Sequence, residues 1–199
     1  MDLTEGTQEE KVARSKKMML WFGVGSLIMS FSALISAFIV SSKQRRGKDW
    51  LINYDLPDAF FVSVVIILLS SLTFILAKRA LKQNNRKLTT TWLLATLVLG
   101  VVFVLSQLEG FKQIIQAGYN FTGPTSNITM SYIYLIAVVH ILHVIAGLIC
   151  IVVVIYNHFK QKYNANNILG LELAANFWHF VDLLWLVLFL FLYFFRDII

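Results

Sequence analysis

Residues 128–156 read ITMSYIYLIAVVHILHVIAGLICIVVVIY, twenty-nine positions without an aspartate, glutamate, lysine or arginine. An α-helix rises about 1.5 Å per residue and needs about 20 mostly apolar residues to cross the hydrocarbon of a bilayer. This run, extended to about 157, is therefore expected to span a membrane with length to spare for tilt or projection. Four further stretches qualify: 18–41, 59–77, 91–117 (apolar to about 108, amphipathic beyond) and 171–195, which carries two acids, Glu172 near its start and Asp182 in its middle. Pro57, just before the second stretch, suits the start of a helix. Clusters of turn formers at 43–49, 120–127 and 163–167 separate the runs. The expected fold class is all-α, a polytopic membrane helix bundle with five transmembrane helices. It forms a single domain over 18–199, behind an N-terminal tail of residues 1–17.

Composition agrees. Of 199 residues, 58% are hydrophobic and 14% charged, with mean hydropathy +0.71. Soluble domains carry roughly 45–50% apolar and about 25% charged residues. Disordered chains combine low hydrophobicity with high net charge. Both classes are excluded. One cysteine, Cys150, rules out an internal disulfide or a thiolate metal cluster, and its mid-helix place suggests an inert packing residue. The net charge of +6 does not indicate nucleic acid. Lys and Arg cluster at 11–17, 43–48 and 78–87, between apolar runs, where anionic lipid headgroups are their partners. Eleven basic residues fall in the N-terminal tail and alternate loops, against six on the other side. That bias places the N-terminus in the cytoplasm and the C-terminus outside. The N-terminus is not read as a signal peptide, because Asp2, Glu5, Glu9 and Glu10 dilute its positive charge and the first apolar run is too long.

Polar groups inside hydrocarbon need partners, so they carry the information. His140 and His143 in the fourth run are spaced i, i+3, with Gly147 one turn further on the same stripe. Glu172, His179 and Asp182 share a stripe of the fifth run with Ala175, and Trp178 and Trp185 form a second stripe beside it. Three chemistries fit this polar seam. The histidines could ligate haem or a metal, although no His-Glu-x-x-His arrangement and no paired histidines at a repeated spacing are present. They could form the proton relay of a transporter. They could be interhelical glue, His–acid hydrogen bonds of about 0.6–2 kcal/mol each, and spacing alone favours this one. Gly23, Ser26, Ser30, Ala33 and Ala37 give the first helix a smooth ridge on which another helix could lie. Ser70, Ser71 and Thr73 can bond back to their own backbone. Glu109, with Gln107 nearby, is expected at a solvated helix end. The glycosylation tripeptides at Asn120 and Asn127 are read as chance.

Two motifs go further. His140-Ile-Leu-His143-Val-Ile-Ala-Gly147 resembles H-x-x-H-V-x-x-G. Glu172-Leu-Ala-Ala-Asn-Phe-Trp178-His179-Phe-Val-Asp182-Leu-Leu-Trp185 resembles E-x-A-x-x-x-W-H-F-V-D-x-x-W. Both are hallmarks of subunit III of haem–copper oxidases, the cytochrome c oxidase subunit III family. Weaker resemblance at Leu56-Pro57, Ser70-Ser71, Leu99 to Phe103, Gln107 and Glu109 extends it over most of the chain. Five helices correspond to the short bacterial form, which lacks the first two helices of the seven-helix version.

The resemblance implies a non-catalytic core subunit in the bacterial inner membrane. Such a subunit would carry no haem, copper or other cofactor itself, since haem and copper reside in partner subunits. It would pack mainly on oxidase subunit I, with subunit II and other respiratory-complex subunits nearby. It would hold phospholipid, sustain proton uptake and slow inactivation of an enzyme that reduces oxygen to water with electrons from cytochrome c. No catalytic or metal site is implied. His140, His143, Glu172, His179 and Asp182 would be structural, while Trp178, Trp185 and Gly147 would contact lipid or a neighbouring subunit. Subunit III of a quinol oxidase, or a nitric-oxide-reductase-associated relative, has the same shape. A haem-binding membrane anchor and an independent transporter are the readings from other classes. One departure stands out. The family's in-membrane glutamate on the first helix, in the pattern S-E-V-M, aligns with Leu27 in Ser26-Leu-Ile-Met29, so its proton-buffering role does not carry over.

Overall fold

The computed structural model describes residues 7–45, 50–51, 56–121, 127–163 and 168–198, without the side chains of residues 9 and 196–198. Parts of the three expected turns (46–49, 122–126 and 164–167) and the Arg196 side chain lie outside the described residues. Five helices account for nearly all of what is described: α1 Gln8–Arg45, α2 Asp58–Lys82, α3 Arg86–Gln116, α4 Ile128–Phe159 and α5 Leu169–Ile198. All five are long and apolar enough to cross a membrane.

The helices are longer than the apolar runs, because charged residues with good helix propensity continue them into the interface. Part of the expected tail is therefore helical. α1 starts at a capping box, Thr7-Gln-Glu-Glu10: the Thr7 hydroxyl accepts from the Glu10 N–H at 3.4 Å, and the Glu10 carboxylate accepts from the Thr7 N–H at 3.1 Å. The basic 78–87 loop shrinks to three residues, 83–85. Asn84 takes a left-handed conformation (φ 57°), and Asn85 caps α3 by accepting from the Leu88 N–H. Arg79 and Lys82 end α2, where the helix dipole favours cations. α4 begins at Asn127, whose side chain accepts from the Thr129 N–H at 2.9 Å. Its 32 residues extend about 48 Å, well beyond the hydrocarbon thickness.

Helices α2, α3, α4 and α5 pack in a closed ring, α2 on α3, α3 on α4, α4 on α5 and α5 on α2, while α1 touches only α4 and α5. The inward edge of α1 is Val24, Phe31 and Phe38, one residue every seven. Phe31 meets the rings of His140 and His143, and Phe38 sits among Trp50, Tyr132, Phe191 and Phe195. The small-residue ridge faces the other way: Gly23, Ser26, Ser30, Ala33 and Ala37 are all exposed, and no helix of this chain lies on it. Aromatic size, rather than smoothness, determines which edge of α1 turns inward. Cys150 is likewise exposed on α4 instead of packed in the core.

Candidate functional site

The expected seam lay between α4 and α5. The structure places its polar partners mainly on α2. Ser63 and Ser70 of α2, seven residues apart, face Trp185 and Trp178 of the antiparallel α5, also seven apart. The Trp178 Nε1–H donates to Ser70 Oγ at 3.1 Å and the Trp185 Nε1–H to Ser63 Oγ at 3.0 Å. Gln107 of α3 donates to the same Ser63 oxygen at 2.8 Å, and the Ser63 hydroxyl donates to the Phe60 carbonyl. Ser70 also reaches the Thr96 carbonyl of α3 at 3.5 Å, next to a Thr73–Thr96 hydroxyl pair at 2.8 Å. Each serine thus joins three elements through one oxygen.

Both tryptophans are fully buried within the chain. The expected contacts of Trp178, Trp185 and Gly147 with lipid or another subunit are replaced by contacts inside the bundle. A large amphipathic ring packs best where its N–H finds an acceptor, and Ser63 and Ser70 provide one in the core. The Trp178 ring lies between two glycines, so closely that a Cβ would stand 2.8 Å from it at Gly100 and 2.8 Å from it at Gly147. Gly147 admits an indole, not a neighbouring backbone. Gln107 is buried too, not solvated as expected. Glu109 is exposed and pairs with Lys112 at 2.9 Å.

No histidine in the described residues is hydrogen-bonded to an acid. His140, fully buried, donates from Nε2 to the Val181 carbonyl of α5 at 3.1 Å and lies over Trp185, ring centroids 4.9 Å apart. His143 donates from Nδ1 to the Val139 carbonyl one turn back at 2.7 Å, so it is turned onto its own helix. His179 Nδ1 is 2.6 Å from the Ser71 hydroxyl of α2. Glu172 pairs with Lys78 of α2 at 3.0 Å. Asp182 is 2% exposed, and neither carboxyl oxygen has a hydrogen-bond partner among the described residues. The fourth histidine, His158, meets Thr90 of α3 at 3.0 Å. The interhelical role expected for His140 and His179 therefore uses a carbonyl and a hydroxyl in place of carboxylates. Among the described residues no three His, Cys, Asp or Glu side chains converge as a metal site needs.

Ser63, Ser70, Ser71 and Gln107 are the functional partners that a per-helix reading misses. The matched seven-residue spacing of serines on α2 and tryptophans on α5 is the signal that could reveal them.

The geometry puts both motif segments, 140–147 and 172–185, at the centre of the ring. The chain is 29% identical over 182 residues to cytochrome c oxidase subunit 3 of Alkalihalophilus pseudofirmus, covering 90% of this chain and 86% of that protein. It is 33% identical over 185 residues to cytochrome bo(3) ubiquinol oxidase subunit 3 of Buchnera aphidicola subsp. Baizongia pistaciae, covering 91% and 92%. To the probable cytochrome c oxidase subunit 3 of Rickettsia prowazekii it is 37% identical over 142 residues, which is 70% of this chain and 48% of that longer protein. The family described as cytochrome c oxidase subunit III matches residues 4–197. With five membrane-length helices and its motif residues at the helix crossings, this chain belongs to the cytochrome c oxidase subunit III family.

Proposed function

We propose that the chain is the non-catalytic subunit III of a bacterial respiratory terminal oxidase. It packs on subunit I, with subunit II in the same complex, and helps sustain proton uptake and the lifetime of an enzyme that reduces oxygen to water. Haem and copper belong to the partner subunits, and phospholipid covers the exposed apolar faces of this one. The observation that carries the reading is the family match over residues 4–197. The use of all four histidines supports it. Three of them bond across to another helix, His140 to a carbonyl, His158 to a threonine and His179 to a serine, and so tie helices together, while His143 bonds to its own helix. Orientation follows the charge bias. The ends carrying Lys11, Arg14, Lys16, Lys17, Lys78, Arg79, Lys82, Arg86, Lys87, Lys160 and Lys162 form the cytoplasmic face.

A relative named for a quinol oxidase favours a second reading, in which the same subunit serves a quinol-fed enzyme. A mild-detergent pull-down of the tagged chain from native membranes tests both. A many-helix, haem-bearing partner is the expected result, and co-purifying c-type cytochrome assigns the donor. A chain that elutes alone and colourless refutes the subunit reading, and one that elutes alone with haem bound makes it a haem anchor.

A further inference from the structure

The seven-residue spacing of serines and tryptophans extends to all four helices of the ring and defines two layers. In the first, Trp178 of α5 bonds to Ser70 of α2, and its ring fills the space between Gly100 of α3 and Gly147 of α4. Seven residues away on each helix, a distance of two turns, stand Trp185, Ser63, Gln107 and His140. Their contacts put them at one level. Trp185 and Gln107 meet on the Ser63 oxygen, at 3.0 and 2.8 Å, and the His140 ring lies 4.9 Å from that of Trp185. Phe103, one turn from Gln107, stands edge-on to both rings. Where the first layer has two glycines, the second has an amide and an imidazole.

Hydrogen bonds run from helix to helix around the second layer. Gln107 joins α3 to α2, Trp185 joins α5 to α2, and His140 joins α4 to α5 through the Val181 carbonyl at 3.1 Å. Among the described residues no such bond joins α3 to α4 at this level. The two atoms left over belong to those two helices. Gln107 Oε1 and His140 Nδ1 are buried without a hydrogen-bond partner among the described residues, on side chains that are themselves fully buried. Both atoms are acceptors. The Ser63 proton goes to the Phe60 carbonyl at 2.7 Å, so Gln107 presents its N–H to the Ser63 oxygen and keeps its carbonyl free. The Val181 carbonyl can only accept, so the His140 proton sits on Nε2. No acid is hydrogen-bonded to that ring, and a buried imidazolium without a counter-charge is disfavoured, so Nδ1 carries a lone pair. Two acceptors cannot bond to each other. A small molecule with two donors serves both, and in a protein core that molecule is water, which binds buried polar groups that are otherwise unpaired.

We propose that one water molecule is bound in the core between α3 and α4, donating one hydrogen to Gln107 Oε1 and the other to His140 Nδ1. With it, hydrogen bonds tie α2, α3, α4 and α5 into a closed circuit at a single level. The second layer then gains in polar form the α3–α4 contact that the first gains by packing, where the Trp178 ring bridges Gly100 and Gly147. The site is built from this chain's residues alone. Its failure would leave the subunit assignment standing, and the reverse holds as well.

The test is a cryo-electron-microscopy map of the purified complex containing the full chain, at a resolution that shows ordered water. A single peak should stand within hydrogen-bond distance, about 2.7–3.2 Å, of both Gln107 Oε1 and His140 Nδ1. Gln107→Met and His140→Phe each remove one acceptor, and each should lose the peak. Glu172→Gln, on the Lys78 ion pair outside this layer, should keep it. A native map with no peak there overturns the proposal, and so does a map in which the Gln107 amide bonds directly to the imidazole. A peak that survives in both Gln107→Met and His140→Phe overturns it too, since the water would then be held by other groups. If neither variant assembles, the native map decides alone, because the peak and its two distances are read without any substitution.

Discussion

The Ser63 oxygen accepts from two buried donors, the Trp185 indole and the Gln107 amide, and this makes it an expensive small side chain to remove. Ser63→Ala leaves both donors without an acceptor. An unsatisfied buried donor costs about 1–3 kcal/mol, which outweighs the small net value of either bond taken alone. We expect Ser63→Ala to lower the thermal midpoint of the detergent-solubilised complex clearly, and Ser63→Ala with Gln107→Leu to lose less than the sum of the two single changes. Strict additivity would show that the shared oxygen is not what matters. Glycines offer a matched pair. A Cβ at Gly147 would stand 2.8 Å from the Trp178 ring, whereas nothing lies within 4 Å of one at Gly23. Overpacking a filled core costs about 1–3 kcal/mol, and a surface change away from special features about 0.5 kcal/mol or less. Gly147→Ala should destabilise and Gly23→Ala should not, as measured by unfolding of the two variants side by side.

At the scale of elements, α5 is fastened to α2 by three kinds of contact along one line: the Lys78–Glu172 ion pair, the Ser71–His179 bond and the two serine–tryptophan bonds. The ion pair, with side chains 30% and 28% exposed, contributes about 0–1 kcal/mol. Glu172→Gln should therefore leave assembly intact where Ser63→Ala weakens it. Where α4 leads back to α5, Tyr163 packs against Gly170, and burial pushes its phenol above the ordinary value of 10. The folded chain holds that proton more tightly than the unfolded one. The stabilisation is whole below pH 10 and falls as pH rises past it, since the unfolded phenol ionises first. The alkaline limb of the stability profile should flatten in Tyr163→Phe. The existence of all five helices was legible, because a run of about 20 apolar residues has few other physical solutions. Their ends were less so: the Thr7–Glu10 capping box and the basic termini carry helix beyond the apolar runs. Helix rotation was the least legible. Hydropathy says that α1 is buried in lipid and protein but not which edge meets which, so its small-residue ridge and its Val24, Phe31 and Phe38 edge could not be ranked. The partners of the singled-out residues were not legible, because His140, His179, Trp178 and Trp185 bond to a carbonyl and to serines, groups that leave little trace in a single helix.

For the whole molecule, the alternation of the helices puts eleven basic residues at one end of the bundle. A reporter that is active only outside the cytoplasm should work when fused to the C-terminus, and its silence there would reverse the orientation. The ring of α2, α3, α4 and α5 also sets an order of assembly. α1 leaves the ribosome first, yet the helices it docks on, α4 and α5, are made last, and Phe38 meets Phe191 and Phe195 only when the chain is nearly finished. The α2–α3 hairpin, with its three-residue turn, closes at once. During synthesis the first helix therefore waits in the lipid with its Phe31 and Phe38 edge uncovered. A nascent chain halted before residue 128, with neither α4 nor α5 made, would expose that edge to whatever else the membrane holds, including the insertion machinery that escorts unfinished proteins.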